Sequence, residues 1–279
     1  MNRFFAMDTS FSTSLGVYDF DARCQITRDV GFDGTYLSLL NDAAWADLPK
    51  LGQVHPRHGL EVAGVYLALD LANPQQAQQR LMNLVRDLQG TRHIELSIRV
   101  GGRTEPGIDP QVDDAVRALL EAVLPEAQDR GLSVLLYPHL RFYVERLEHA
   151  AALCAAIGHE SLGICMAAYH WYAADGKELP ARLKVAAPFL RSANICGSRR
   201  VPMEKGGNRC TIECLDEGEL DNFTLLGLLR QAGLTGWIGL QGYSNGGDVY
   251  AKLRRSLIAY RDMMQRLQQH PHWAVMRQG

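Results

Sequence analysis

Short, nearly unbroken apolar runs alternate along the chain with longer stretches in which apolar residues return every third or fourth position. The runs fall near residues 3–9, 33–39, 61–68, 93–99, 133–138, 162–167, 190–196 and 236–241. An apolar run without polar alternation is what a strand covered on both faces requires, and the spacing between the runs is the helical period. Leu81, Leu84, Val85 and Leu88 share one helical face after the third run. Val112, Val116, Leu119, Leu120 and Val123 stripe the next helix, and Leu253, Leu257, Tyr260, Met264 and Leu267 stripe the last. Val144, Leu147, Ala151 and Cys154 line the helix after the fifth run, and shorter helices are expected through AAWADLPKLGQV and KELPARLKVAAPF. Asp109 before Pro110 reads as an N-cap with proline at the first helical position, Gly131 follows the last turn of that helix, and Asp221 reads as the cap of NFTLLGLLRQAG.

Strand then helix, repeated eight times without a long spacer, means parallel strands joined by right-handed crossovers. Closure into a single (β/α)8 TIM barrel, strands inside and helices outside, is the simplest topology for that count. An open doubly wound sheet would need a switch in strand order and usually a phosphate-binding glycine loop, and no G-x-G-x-x-G follows the first run. Residues 1–279 are expected to form one domain, with about 271–279 a loosely held tail.

In such a barrel the active site gathers at the C-terminal ends of the strands. The sixth run ends in LGICMAAYH, delivering His170 to the rim. The fifth ends at Tyr137 and His139, which alternate and therefore share a face, the seventh carries Asn194, and the eighth carries Gln241. Arg99 ends the fourth run, and Arg199, Arg200, Lys205 and Arg209 follow the seventh. Each has a structural alternative: His170 as a packed histidine, Tyr137 as an aromatic plug, the arginines as solvated surface charge. The remaining acids on or near the strands are Asp8, Asp70 and Glu95, any of which could supply a base, while Glu95 could instead pair with an arginine inside the barrel.

Composition narrows the partners. The formal net charge is -2, from 29 basic and 31 acidic residues, which gives no global attraction to nucleic acid or an anionic membrane. No apolar run approaches the length of a membrane span, and the N-terminus lacks the apolar core of a secretory signal, so a cytoplasmic protein is expected. Six scattered cysteines fit packed, reduced thiols better than a disulfide framework, and Cys210-x-x-x-Cys214 has no second ligand pair to complete a zinc site. Homo-oligomerisation is left open.

DEGELDNFTLLGLLRQAGLTGWIGLQG at 216–242, GFDGTYLSL at 31–39 and LGICMAAYH at 162–170 are similar to segments of the xylose isomerase-like TIM-barrel family of sugar and sugar-phosphate isomerases and epimerases. The resemblance covers nearly the full length. It implies one divalent cation held by a glutamate ending strand five, an aspartate in strand six, a histidine in strand seven and a glutamate ending strand eight. Here those positions carry Tyr137, Ala167, Asn194 and Gln241, and Tyr36 stands where many members have another glutamate. Tyr137 and Gln241 are poor ligands for a dication and Ala167 is none, so no metal or other cofactor is expected; the alternative is a divalent cation on His139 and His170, two nitrogens that lack an acidic partner. The resemblance assigns substrate contact to His170 and Arg200.

The expected catalytic set is therefore His170, His139 and Arg200, with Tyr36, Arg99, Tyr137, Asn194 and Gln241 binding the substrate. The ligand is expected to be a small, carbohydrate-like, polyhydroxylated molecule carrying a carboxylate or phosphate. Two readings stand: an isomerase, epimerase or related lyase, and a non-catalytic carbohydrate-binding or regulatory descendant of the family.

Overall fold

The computed structural model describes residues 2–101, 107–204, 207–243 and 246–275. Eight parallel strands close on themselves: β1 (Phe4–Ala6), β2 (Gly34–Ser38), β3 (Glu61–Asp70), β4 (His93–Arg99), β5 (Ser133–Leu136), β6 (Leu162–Ala167), β7 (Leu190–Ile195) and β8 (Ile238–Leu240). Each pairs with its neighbour in sequence, and β1 closes the ring between β2, at Phe5 and Gly34, and β8, where Phe4, Phe5 and Ala6 face Ile238, Gly239 and Leu240. The expected (β/α)8 barrel is thus the observed one.

Alternation along the strands divides the core in two. Phe4 points outward and stacks on Tyr260 of the last helix, Val249–Gln269, with ring centroids 3.8 Å apart. Phe5 points inward, where it joins Tyr36, Tyr66, Leu135, Tyr137, Cys165 and Trp237. The outer layer, between sheet and helices, is the larger, and it buries the stripes read from the sequence. Asp109 accepts from the Gln111 amide at 3.0 Å and Asp221 from the Thr224 amide at 3.0 Å, so both helix caps are as expected.

Several local expectations are corrected. β6 spans Leu162–Ala167 as expected, but the chain turns at once into a separate short helix, Ala168–Ala174, so His170 reaches the rim from the first turn of that helix. The helix through AAWADLPKLGQV is broken into Asp42–Asp47, a 3-10 segment Leu48–Gln53 and Val54–His58, because Pro49 can donate no amide hydrogen bond and Gly52 is a poor helix former. Val144 precedes the helix Leu147–Ile157, and Met263 rather than Met264 completes the buried stripe of the last helix. The segment Pro271–Ala274 is a 3-10 turn whose Ala274 is fully buried against Gly227, so the chain is held to residue 274 at least. Two antiparallel ribbons, Ser12–Thr13 with Gly16–Val17 and Arg200–Pro202 with Asn208–Cys210, decorate the barrel. Among the described residues no helix is long and apolar enough to cross a membrane. All six cysteines are free, and five are buried.

The barrel interior is filled to contact at Gly239. A Cβ there would lie 2.2 Å from Asn194 Oδ1 and 2.3 Å from Phe5 Cζ. Gly239→Ala is therefore expected to destabilise the protein by about 2–3 kcal/mol through overpacking. Urea unfolding measures this, and a stability within error of the parent would show that the interior can yield.

Candidate active site at the barrel mouth

A cavity of about 870 Å³ opens at the C-terminal ends of the strands. Its inner surface is made by buried side chains, among them Met7, Leu39, Tyr66, Tyr137, His170 and Gln241; its rim carries exposed Arg80, Arg99, Arg141 and Arg209. A second depression of about 660 Å³ lies at the opposite end, around Arg3, Arg92, Arg130 and Trp237, away from the end where such barrels do chemistry.

Two imidazoles face each other at the mouth. A tight turn after β5, in which the Phe142 amide donates to the His139 carbonyl and Arg141 adopts a φ of 65°, sets Phe142 against His139 with ring centroids 4.0 Å apart. His139 in turn lies 3.8 Å from His170, and Tyr137 and Tyr169 meet His170 edge-on at 5.5 and 5.2 Å. Because the Leu140 carbonyl can only accept, the 2.8 Å contact from His139 Nδ1 fixes the proton there and leaves Nε2 as the acceptor. Burial lowers the pKa of His139, and burial together with His139 holds His170 well below the usual imidazole range, so both rings are neutral near pH 7. Among the described residues no carboxylate is hydrogen-bonded to His170, whose buried Nδ1 has no partner. Gln241 Oε1 is likewise buried without one.

The interior acid is Glu95, 2% exposed. Its Oε2 accepts from the Tyr36 hydroxyl at 2.5 Å and Asn194 Nδ2 at 2.9 Å, and its Oε1 from Ser192 Oγ at 3.1 Å. Among the described residues no arginine is paired with it, contrary to one sequence expectation. Burial pushes its carboxyl above the usual range, and the donated hydrogen bonds only partly draw it back. The other two acids are also engaged: Asp8 by Ser38 and Arg23, and Asp70 by the Ala72 and Gly101 amides and, at 3.1 Å, by Arg99. The Ala72 amide first, then that of Gly101 and the Arg99 charge, hold Asp70 below the usual carboxylate range.

The structure therefore brings His139, His170, Tyr137, Arg99 and Gln241 together on the cavity. Tyr36 and Asn194 sit inside the barrel with Glu95 instead. Arg200 is elsewhere: its Nη2 donates to the Tyr172 and Asp175 carbonyls at 2.7 and 3.0 Å, and its guanidinium lies 4.3 Å over the Tyr172 ring, clasping the ribbon to the short helix. Lys205 lies outside the described residues. The rim cations that sequence reading passed over are Arg80 and Arg141; with Arg209 they make no ion pair among the described residues. Arg141 had a local signal, lying two residues past His139, whereas Arg80 sits mid-helix and had none.

Residues 24–260 match the family model for the xylose isomerase-like TIM barrel. The chain belongs to this family. Similar solved structures include an L-ribulose 3-epimerase (17% identity, TM-score 0.77, covering all of both chains) and the IolI protein with a bound zinc atom (13%, TM-score 0.77, covering 95% of this chain and 98% of that one). A third is the 3-keto-D-glucoside 4-epimerase of E. coli in its apo form (18%, TM-score 0.71, covering 94% of this chain and all of that one). At these identities the likeness is one of fold. No curated protein matches the chain by sequence.

The family resemblance implies a divalent cation, and the donor set here does not fit one. Among the described residues no three histidine, cysteine or carboxylate side chains converge as a metal site, and Glu95, the acid within the barrel, has both oxygens occupied. Two neutral imidazoles and an amide are what this member of the xylose isomerase-like family presents.

Glu95 gives a pH signature of defined sign. Its folded pKa is raised above the ordinary 4.5, so the folded chain keeps a proton that the unfolded chain has released. That contribution is complete below 4.5 and is lost as pH rises towards the raised value. Glu95→Gln presents similar hydrogen-bonding groups without the titration, so its stability relative to the parent should increase as pH rises from 4.5 through the alkaline side of neutrality. Denaturant unfolding across that range measures it. A constant difference would mean that Glu95 does not titrate differently in the folded and unfolded states.

Proposed function

We propose that the barrel mouth binds a small hydroxylated anion, carboxylate or phosphate, and that the protein belongs to the isomerase, epimerase or related lyase group of its family while working without a divalent cation. The observation that carries the reading is the charge around the cavity. Arg80, Arg141 and Arg209 have no ion-pair partner among the described residues, and the one lining acid, Asp70, is taken by Arg99 and backbone amides. An arginine fork matches a carboxylate or phosphate in two parallel hydrogen bonds. The unpartnered Gln241 Oε1 asks for a donor, which a ligand hydroxyl supplies, and His170 Nδ1 asks for a second polar group. Structural neighbours that are sugar epimerases support the hydroxylated part of this description.

In the enzymatic reading His139 Nε2, neutral and free to accept, takes a proton from carbon next to a carbonyl, and a rim guanidinium faces the oxyanion that forms. The second reading, a binding protein without turnover, is favoured by one observation: among the described residues no carboxylate orients His170.

Calorimetric titration with matched pairs, a sugar against its aldonic acid or phosphate, tests the anion preference. A charge-assisted hydrogen bond contributes about 1.5–3 kcal/mol, so the anion should bind roughly tenfold to a hundredfold more tightly. Arg141→Ala or Arg209→Ala should remove most of that advantage, and Arg200→Ala should leave it intact. Equal affinity for both members of each pair would overturn the proposal.

A further inference from the structure

We infer that the part of the ligand entering deepest is flat and unsaturated: the cavity is shaped for a hydroxylated ring carboxylate, aromatic or enolic, in preference to a saturated sugar acid. This rests on the reading of the mouth as an anion site and narrows it.

Three features of the lining lead there. The buried floor, Met7, Leu39, Tyr66 and Tyr137, is apolar or aromatic. Few polar atoms there are free to meet hydroxyls. Gln241 Oε1 and His170 Nδ1 lack partners among the described residues, but Ser38 Oγ already donates to Asp8 at 2.6 Å. A saturated polyol would carry several hydroxyls into this floor, and most would lose water without gaining a partner.

The second feature is a continuous aromatic wall. Tyr66 meets Tyr137 edge-on at 5.2 Å, Tyr137 meets His170 at 5.5 Å, and the tilted rings of His170, His139 and Phe142 follow at 3.8 and 4.0 Å. Aromatic rings favour offset and edge contacts with another flat π-system, and the two imidazoles take part as neutral rings. The third feature is the order of the layers. Apolar surface lies inside and exposed guanidinium groups, Arg141 and Arg209 among them, lie at the rim. A ligand that satisfies both is amphipathic, with its ring inward and its carboxylate outward.

Calorimetry of the full chain with meta-hydroxybenzoate, gluconate and phenol separates the possibilities. Meta-hydroxybenzoate is expected to bind at least tenfold more tightly than either gluconate, which keeps the charge and loses the flat ring, or phenol, which keeps the ring and loses the charge. Phe142→Leu, at a partly exposed position, should weaken meta-hydroxybenzoate several-fold and leave gluconate unchanged. Gluconate binding as tightly as meta-hydroxybenzoate would overturn the flat-ligand inference while the anion site stood. Phenol binding as tightly as meta-hydroxybenzoate would overturn the anion site on which it rests, and no binding of either acid would overturn both.

Discussion

One carboxyl ties the inside of this barrel together. Glu95 on β4 reaches Tyr36 on β2 and both Ser192 and Asn194 on β7, joining three strands through a group that has no ion-pair partner among the described residues. An isolated carboxylate in so dry a place would be very costly, and the hydrogen bonds it receives, with a pKa displaced towards the neutral acid, are how the fold tolerates it. Tyr36 and Asn194, both at positions where the family resemblance pointed to ligand or metal contact, are thereby spent on the interior. The cavity consequently has an uncharged floor. Its charge lies on the rim, in arginines, and its titratable chemistry lies in two imidazoles whose burial keeps them neutral.

Most of the architecture was legible in the chain because buried parallel strands and amphipathic helices leave different periods. All eight runs became barrel strands, and the Asp109 and Asp221 caps formed as their spacing suggested. What was lost were features without a periodic signal. ICMAAYHWYAA passes from strand to helix with no glycine or proline to mark the change, so the short helix that carries His170 leaves no signal of its own. The two ribbons are two or three residues per strand, too short for alternation to show. Ala274 is a small residue whose burial depends on Gly227 opposite, a contact that neither residue announces alone.

The candidate site was legible in part, and the division is physical. Tyr137, His139, His170 and Gln241 reach the mouth because the barrel puts strand ends there. Arg200 came within the same loop region, but a guanidinium can be satisfied equally well by carbonyls and an aromatic face, and the Tyr172 and Asp175 carbonyls with the Tyr172 ring claim it. Which of several loop arginines stays free is decided by tertiary neighbours. Glu95 illustrates the same limit from the other side: a strand acid suggested an arginine partner, and the barrel supplied hydroxyl and amide donors instead.

The central proposal is that this member of the xylose isomerase-like family holds its ligand with arginines and neutral imidazoles and without a divalent cation. Calorimetric titration of chelator-treated protein with manganese and with zinc tests it most directly, run in parallel on the parent and on His139→Ala. The account predicts no stoichiometric binding of either ion and no difference between the two proteins. One tightly bound cation per chain, lost in His139→Ala, would contradict it.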